Sequence, residues 1–467
     1  MGAVLTLYEA YSGAYTLKTC GCNNCHGLSG WDACLKQAMP QGEEREQGEQ
    51  GEKEFVIYTF SSVVTMNPSW PRAKCVGTYD GRIIVVGDSI DDMQPWLRRA
   101  SLVGIRSRVE RCFETRVCYP GFVEPHSHPL IGGTALSLPC VAYHTTPNPF
   151  GEAIPGCKNK ADVLKRLREE ETKLKLSGSD EDLIAWGWDS VAMGGDLTRK
   201  DLDQISQERV ITVWDCSMHN SFCNTKALEK VHLEGSGIWT WWNRRKASRL
   251  PGVKFDSDGN LTGVFLGLDA TYLLISIFQQ LFKVRRMLEA MHYLTELGRQ
   301  NGITTMAEMY LGVFALPMEL RLFSFFYNSP NTPMRVVCTI AADKAVKFFG
   351  GIWGRTSLAV DRVMSLQKTS TAKVIFNGGV KFFCDDAFFS LTMQVDFPGY
   401  CDGHSGIWNL APGQTMFLKM LPWWKAGARI HVHSNGDAAQ DATLHSLAAL
   451  QTAKPRFDHR FCFEHFG

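Results

Sequence analysis

The stretch that decides the fold is PGFVEPHSH, residues 120–128. It has the pattern of a short β-strand that ends in two histidines, His126 and His128. Side chains on a strand alternate between its two faces, so these imidazoles point the same way. Two imidazoles on one face can ligate one metal ion, and neutral imidazole nitrogen suits zinc and related metals. Taken alone, such a pair is more often two ordinary histidines near a turn.

Similar segments recur along the chain, each a short apolar run with polar residues at its C-terminal end. Five further candidate strands are 302–309, 334–340, 378–386, 428–434 and 460–466. Helical spacing predicts helices at 161–175 and at 283–302, the second ending at a glycine. Apolar strands that alternate with helices favour a parallel sheet. We therefore predict an α/β fold, a (β/α)₈ TIM-like barrel of which six of the eight strands are recognised, with its site at their C-terminal ends.

The fifth candidate strand, ARIHVHS, repeats the paired-histidine pattern. His431 and His433 lie on one face of it. Gly436, two residues beyond the strand, permits a tight turn, and a helical stretch follows. Asp437 either caps that helix or serves the site, and the sequence leaves both readings open.

Lys381 lies inside the apolar segment GGVKFFCDD and needs a partner, because a buried unpaired charge is costly. One reading is a salt bridge to Asp385 or Asp386. The other is a role in the site, since strands one, four and five all carry lysine or histidine and strand six ends in Glu464 and His465. Side chains at these four strand ends converge on one point at a barrel mouth, which is far more specific than any single pair.

Composition excludes several classes of protein. The chain has 467 residues and 45% of them are apolar, as is usual for a globular protein. Its formal net charge of +1 is too small to attract nucleic acid or an anionic membrane to the protein as a whole. No stretch approaches ~18 uninterrupted apolar residues, and the N-terminus does not have the pattern of a signal peptide. The 15 cysteines are scattered, many in apolar runs, which favours reduced thiols in a cytoplasmic protein. We expect neither a nucleic-acid nor a membrane partner.

The chain divides into three predicted segments. Residues 1–54 are an unassigned N-terminal extension that ends in a polar, low-complexity linker. Residues 55–118 are predicted to form a small β-sandwich domain, with a hairpin at Tyr79-Asp80-Gly81. Residues 119–467 carry the predicted barrel.

The chain resembles the amidohydrolase superfamily of metal-dependent hydrolases, and most closely amidohydrolase family 3, which includes N-substituted formamide deformylases. The resemblance extends from Phe55 to Gly467. It rests on IYTFSSVVTMNPSWPRAKCVGTYDGRIIVVGD, PGFVEPHSH, MHNSFCNTKAL, GITTMAE, GGVKFFCDDAFFS, HVHSNGDAAQD and FCFEHFG. Because members of the family act on carbon–nitrogen bonds other than peptide bonds, it implies hydrolysis of a small amide-like or formamide-like substrate.

The resemblance also implies a divalent metal centre. His126 and His128 would hold the more buried metal, and His433 and His465 the second. Lys381, carboxylated by CO₂, would bridge the two. Zinc is the expected metal, as one or two ions, although manganese, iron or nickel suits the same ligands. A hydroxide held there would attack a carbonyl carbon, since coordination lowers the pKa of water to ~7.

Two further residues, His219 in MHNSFCNTKAL and Asp385, are expected substrate contacts. The family's aspartate at the end of strand eight has no counterpart in the sequence, so the catalytic residue stays unassigned. We expect a chain truncated at its C-terminus, with a second chain as the candidate for completing the barrel. The alternative function is a catalytically inactive amidohydrolase-like scaffold or binding protein.

Overall fold

The computed structural model describes residues 53–466. These residues fall into two compact units, 53–122 and 123–466. The predicted extension and linker, residues 1–54, lie outside the described residues except for residues 53 and 54. Over this described range, no helix is both long and apolar enough to cross a membrane.

The smaller unit is built on one five-stranded sheet. Its strands are β1 (Phe55–Val64), β2 (Arg72–Tyr79), β3 (Arg82–Gly87), β4 (Ser107–Glu110) and β5 (Val117–Cys118). β2 is antiparallel to β1 and β3, whereas β4 and β5 run parallel to β1. A 3₁₀ turn (Asp91–Met93) and helix α1 (Gln94–Leu102) follow β3. Within residues 53–122 no second sheet faces the first, so the predicted β-sandwich is not confirmed.

The hairpin predicted in this unit is confirmed. Tyr79 pairs with Arg82, and the two linking residues, Asp80 and Gly81, have φ angles of 50° and 72°. Positive φ at both central positions defines a type I′ turn, whose twist matches that of the flanking strands. Aspartate and glycine adopt this conformation at low cost, which is why the sequence signal was sufficient.

The larger unit carries a curled half-barrel of six strands, which we call the barrel sheet. Its strands are β6 (Phe122–Ser127), β12 (Ile303–Leu311), β13 (Arg335–Ala341), β14 (Val374–Phe383), β15 (Arg429–Ser434) and β16 (Cys462–His465). They follow one another in that order across the sheet, and the pairs from β12 to β16 are parallel. All six lie at predicted strands, so the α/β class and a partial TIM-like barrel are confirmed.

Helices cover the barrel sheet and bury its apolar strands. Helix α2 (Pro129–Leu136) follows β6, α10 (Leu316–Asn328) follows β12, α11 (Ala342–Phe349) and α12 (Thr356–Leu366) follow β13, α13 (Gln414–Lys425) follows β14, and α14 (Asp437–Ala453) follows β15. The largest core cluster joins strand residues such as Val336 and Ile430 to helix residues such as Phe323 and Trp423. Because these helices bury the strands, the strands have a near-continuous apolar character.

A second sheet of the larger unit was not predicted, and we call it the inserted sheet. Its strands, in the order β10-β11-β9-β8-β7, lie between β6 and β12 in the chain. They are β7 (Leu183–Trp188), β8 (Ile211–Asp215), β9 (Ser221–Cys223), β10 (Val253–Phe255) and β11 (Leu261–Phe265). Apart from the parallel pair of β7 and β8, the neighbours are antiparallel.

The predicted helices are found close to their expected bounds. Helix α3 is Lys160–Leu176 and helix α9 is Val284–Gln300. Helix α14 begins at Asp437, and its N-cap is Gly436, which makes no side-chain cap. The reading of Asp437 as the N-cap is therefore wrong; its carboxylate instead accepts a hydrogen bond of 3.0 Å from the backbone N–H of Asp396.

The remaining helical elements connect the two sheets of the larger unit. The α-helices are α4 (Arg199–Asp203), α5 (Thr225–Lys230), α6 (Ile238–Ala247), α7 (Leu268–Thr271) and α8 (Ile275–Phe278). Short 3₁₀ segments lie at Tyr272–Leu274, Gln279–Phe282 and Gln367–Thr369.

Candidate metal centre

Lys381 lies near the end of β14 with 1% of its surface exposed. Its Nζ is buried and has no hydrogen-bond partner among the described residues, so the salt bridge to Asp385 or Asp386 is absent. Burial lowers the pKa of Lys381 from 10.5 to about 8, because a charged ammonium is poorly solvated there. A neutral amine is the form that can react with CO₂, so the environment favours the predicted carboxylation, which stays a prediction.

The two histidines at the end of β6, His126 within the strand and His128 just after it, each pair with a carboxyl group through one ring nitrogen. His126 Nδ1 lies 2.5 Å from an oxygen of Glu464, and His128 Nδ1 lies 3.1 Å from an oxygen of Glu308. The other ring nitrogen of His126, Nε2, is buried without a partner. Burial lowers the pKa of both histidines, that of His128 to about 3. Both are therefore neutral imidazoles near pH 7, the form that binds metals.

Glu464 holds two histidines at once. Its second oxygen lies 2.6 Å from Nδ1 of His431 on the neighbouring strand. Burial alone would raise the pKa of Glu464, but the hydrogen bonds from His126 and His431 outweigh it and hold that pKa below its usual range. The ionised carboxylate fixes the Nδ1–H tautomer of His126 and so leaves Nε2 of that ring as a lone-pair donor.

His433 and His465 complete the group of predicted ligands. Nε2 of His433 lies 3.1 Å from the carbonyl oxygen of Asp386 and 3.0 Å from the side-chain nitrogen of Asn435, while its Nδ1 is buried without a partner. The ring of His465 is exposed at the end of β16, with its centroid 4.5 Å from that of His433 and 4.6 Å from that of His126. His465 thus brings the histidines of β6 and β15 together.

The two predicted substrate contacts lie in different surroundings. His219, just before β9, stacks 5.6 Å from His433, and its Nδ1 lies 2.6 Å from a carboxylate oxygen of Asp386. Burial lowers the pKa of His219, but the charge of Asp386 outweighs it and raises that pKa overall. Asp385 is fully buried, and its oxygens accept hydrogen bonds from the backbone N–H groups of Gln394, Asn435 and Gly436. Its substrate contact stays a prediction.

A cavity of about 610 Å³ lies at the C-terminal ends of β12, β13 and β14. Lys381 and Phe383 form part of its wall, and Tyr310, Asp343 and Lys344 line it further out. Active sites of barrel enzymes lie at this face of the sheet. Of the predicted metal ligands, Lys381 alone lines this cavity.

The residues present fit a divalent metal. Three buried polar atoms of the predicted ligands lack any hydrogen-bond partner within residues 53–466: His126 Nε2, His433 Nδ1 and Lys381 Nζ. Buried polar groups are nearly always paired, so such a group of unpaired atoms needs an explanation, and an ion is one. Imidazole nitrogens together with an anionic carbamate are a donor set that suits zinc and its neighbours.

A second group of candidate ligand atoms lies beside the first. One atom each from His431, Cys462 and Glu464 lie within 4.8 Å of one another. Sequence reasoning did not assign His431 or Cys462 to the metal. In the metal-free structure burial raises the pKa of Cys462 to about 11, so its thiol is protonated.

Sequence reasoning singled out Glu464 and offered Asp386 as a partner of Lys381, but it did not predict that these carboxylates contact histidines, and it missed Glu308. Glu308 is 3% exposed, and burial raises its pKa to about 8. A single acid in the apolar strand GITTMAEM was the available signal, because a buried carboxyl requires a partner. Its partner, His128, lies 180 residues away in the chain and could not be identified without the fold.

Comparison with known proteins places this chain among the metal-dependent hydrolases. A model of the amidohydrolase family, that of family 3, matches residues 114–466, and the chain belongs to this family. Membership implies a divalent metal, so the family expectation and the unpaired donor atoms agree.

Two curated relatives are similar over most of the chain. The exoenzymes regulatory protein AepA of Pectobacterium carotovorum subsp. carotovorum is 21% identical, over 86% of this chain and 78% of its own length. The protein LONG AFTER FAR-RED 3 of Arabidopsis thaliana is 22% identical, over 88% of this chain but only 64% of its own length.

Two solved structures share the fold. Both are uncharacterized metal-dependent hydrolases, one from Pyrococcus furiosus and one from Pyrococcus horikoshii OT3. The first has a TM-score of 0.53 at 17% identity and covers 85% of this chain and 70% of its own. The second has a TM-score of 0.54 at 16% identity and covers 85% and 68%.

Proposed function

We propose that the protein is a metal-dependent hydrolase of a non-peptide carbon–nitrogen bond in a small amide or formamide. The observation that carries the proposal is the set of three buried, unpartnered donor atoms on His126, Lys381 and His433. A structural cluster of histidines and lysine would pair these atoms, whereas a metal-binding cluster leaves them free for the ion. A cytoplasmic setting belongs to the proposal, since the cysteines of the described residues are free.

The proposal assigns a role to each residue of the site. His126, His128, His433, His465 and carboxylated Lys381 hold the metal, preferably zinc. When bound, the metal supplies a Lewis acid for the carbonyl oxygen and lowers the pKa of a water to ~7.

Glu464 would hold His126 in one tautomer, and both Glu464 and Glu308 orient the imidazoles at the end of β6. His219, whose pKa the charge of Asp386 raises, would donate a proton or hydrogen bond to the substrate from the side of His433.

The test is hydrolysis of N-substituted formamides and cyclic amides by zinc-loaded protein, followed by amine release. Lys381→Ala should abolish turnover and lower the metal content, whereas Lys165→Ala, at an exposed position of α3, should leave both unchanged. Full activity of Lys381→Ala would refute the assignment of the site. Wild-type protein that binds metal yet hydrolyses no amide would favour the alternative, an inactive scaffold.

A further inference from the structure

Helix α6 exposes an unusual number of tryptophans. Trp239, Trp241 and Trp242 are 67%, 52% and 55% exposed, and Ile238 beside them is 66% exposed. Large aromatic side chains are highly buried on average, so three of them exposed on one helix of ten residues call for a partner. The helix is held to its own unit by the opposite face, where Thr240 and Ala247 are buried.

Basic residues continue the same exposed face toward the C-terminal end of the helix. Arg245, Lys246 and Arg249 are exposed, and no carboxylate in the described part of the chain pairs with them. At 100° per residue, Ile238, Trp242 and Arg245 lie within one narrow sector of the helix, and Arg249 follows two residues after its end. The guanidinium of Arg245 also lies 5.4 Å from the centre of the Trp241 ring. We call Ile238, the three tryptophans and these three basic residues the tryptophan–basic face.

We propose that the tryptophan–basic face binds the surface of an anionic phospholipid membrane. Tryptophan is the side chain that favours the boundary between headgroups and acyl chains, and basic residues are attracted to anionic headgroups. Helices that lie in the membrane interface combine these two features. The protein binds peripherally, since no described helix can cross a bilayer. The near-neutral net charge does not oppose this, because the positive charges are local.

A protein partner or a second copy of the chain fits this face less well. A helix of ten residues is about 15 Å long and about 10–12 Å wide. A stable protein–protein interface buries about 800 Å² of accessible surface on each partner, so a protein partner would also have to cover surface outside this short helix. A bilayer needs only a few inserted side chains and nearby charges, which is what this helix offers.

The test is co-sedimentation of the full chain with vesicles of phosphatidylcholine alone and with added phosphatidylserine. Wild-type protein should bind only the anionic vesicles, with a blue shift of tryptophan fluorescence, and lose binding in high salt. The double variant Arg245→Gln/Lys246→Gln should lower the partition coefficient about thirtyfold, on the basis of known contributions of single basic residues. The double variant Trp239→Ser/Trp242→Ser should bind as weakly or more weakly.

The matched control is Trp353→Ser, which removes another tryptophan that is 77% exposed, in the loop between α11 and α12. It should bind like the wild type, and circular dichroism should show all variants folded. Absence of wild-type binding to anionic vesicles would overturn the proposal. Equal vesicle binding by the Trp239→Ser/Trp242→Ser variant would also overturn it. So would a wild-type protein that binds no vesicles but forms a concentration-dependent dimer that this variant abolishes.

Discussion

Lys381 is the residue whose surroundings depart most from what a lysine requires. It is 1% exposed and lacks a partner for Nζ within the described residues, and burial lowers its pKa to about 8. Electrostatic interactions with Glu464, Cys462 and Glu308 raise that pKa only in part. In the absence of metal this side chain therefore weakens the fold, and the proposed metal site would account for a lysine at this position.

This leads to a pH-dependent prediction for the metal-free protein. Below pH 8 the folded state must carry a buried ammonium, whereas the unfolded chain carries it in water up to pH 10.5. The unfolded state thus binds more protons between pH 8 and 10.5, and wild-type stability rises with pH over that window. Lys381→Met should therefore raise the free energy of unfolding by about 3 kcal/mol at pH 7, a gain that shrinks toward pH 10.5.

Urea denaturation in the presence of a chelator at several pH values measures this gain. Lys165→Met, at an exposed position, is the control and should change stability little at any pH. A difference between Lys381→Met and wild type that does not change with pH would mean that Lys381 is not a buried charge.

Glu464 provides a second prediction at the residue scale. Its carboxylate binds His126 at 2.5 Å and His431 at 2.6 Å. In Glu464→Gln one amide oxygen remains to accept a hydrogen bond and the charge is lost, so metal affinity should fall about 10–100-fold. Competition with a chromogenic zinc chelator measures the affinity. Glu289→Gln on α9 is the control and should retain the wild-type value, and an unchanged affinity in Glu464→Gln would contradict the orienting role.

At the scale of elements, helices α2 and α9 pack closely against each other. This contact holds in place the start of α2, which follows directly after His128. A Cβ added to Gly133 would lie 2.0 Å from the carbonyl oxygen of Ala290, while one added to Gly132 would meet nothing nearer than 3.9 Å. Backbone atoms cannot move aside as a flexible side chain can. Gly133→Ala should therefore destabilise the protein by about 1–3 kcal/mol or more.

Gly132→Ala is the matched control for this prediction. It lies in the same helix, has space, and should be neutral or stabilise the helix by up to about 1 kcal/mol. Urea midpoints of both variants and the wild type decide the matter. Equal stability of the two variants would show that the contact between α2 and α9 can relax.

The elements that could be predicted from the sequence are those with strong local signals. The six strands of the barrel sheet and helices α3 and α9 were found because long apolar runs and helical periodicity are local properties. The inserted sheet was not predicted, and its strands β9 and β10, of three residues each, have too few positions to show a period. The predicted sandwich is not confirmed, because no second sheet appears in the described part of that unit.

The candidate site was predictable to a similar degree. The histidines and Lys381 were found because each lies near a strand end, where a barrel gathers its functional groups. The contacts with carboxylates that orient the histidines were missed because they span the chain: Glu464 and His126 are 338 residues apart. Such pairs are defined by strand order and register, which a single sequence does not state.

At the scale of the whole molecule, this separation links metal binding to folding. The predicted ligands come from the first strand of the barrel sheet and from its last, so the centre exists only when the sheet is assembled. An ion that binds only the folded state stabilises it by mass action. The proposed metal centre would thus carry the reaction and also connect the first and last strands of the barrel sheet.

The measurement that tests the central claim most directly is metal content per chain by inductively coupled plasma mass spectrometry, after loading with zinc and desalting. We predict about one to two zinc ions in the wild type, on the basis of the ligand set. His433→Ala and Lys381→Ala should lose most of this metal, and His445→Ala, at an exposed position of α14, should keep it. Folded wild-type protein that retains no metal, or equal content in all three variants, would contradict the assignment of a metal centre to this site.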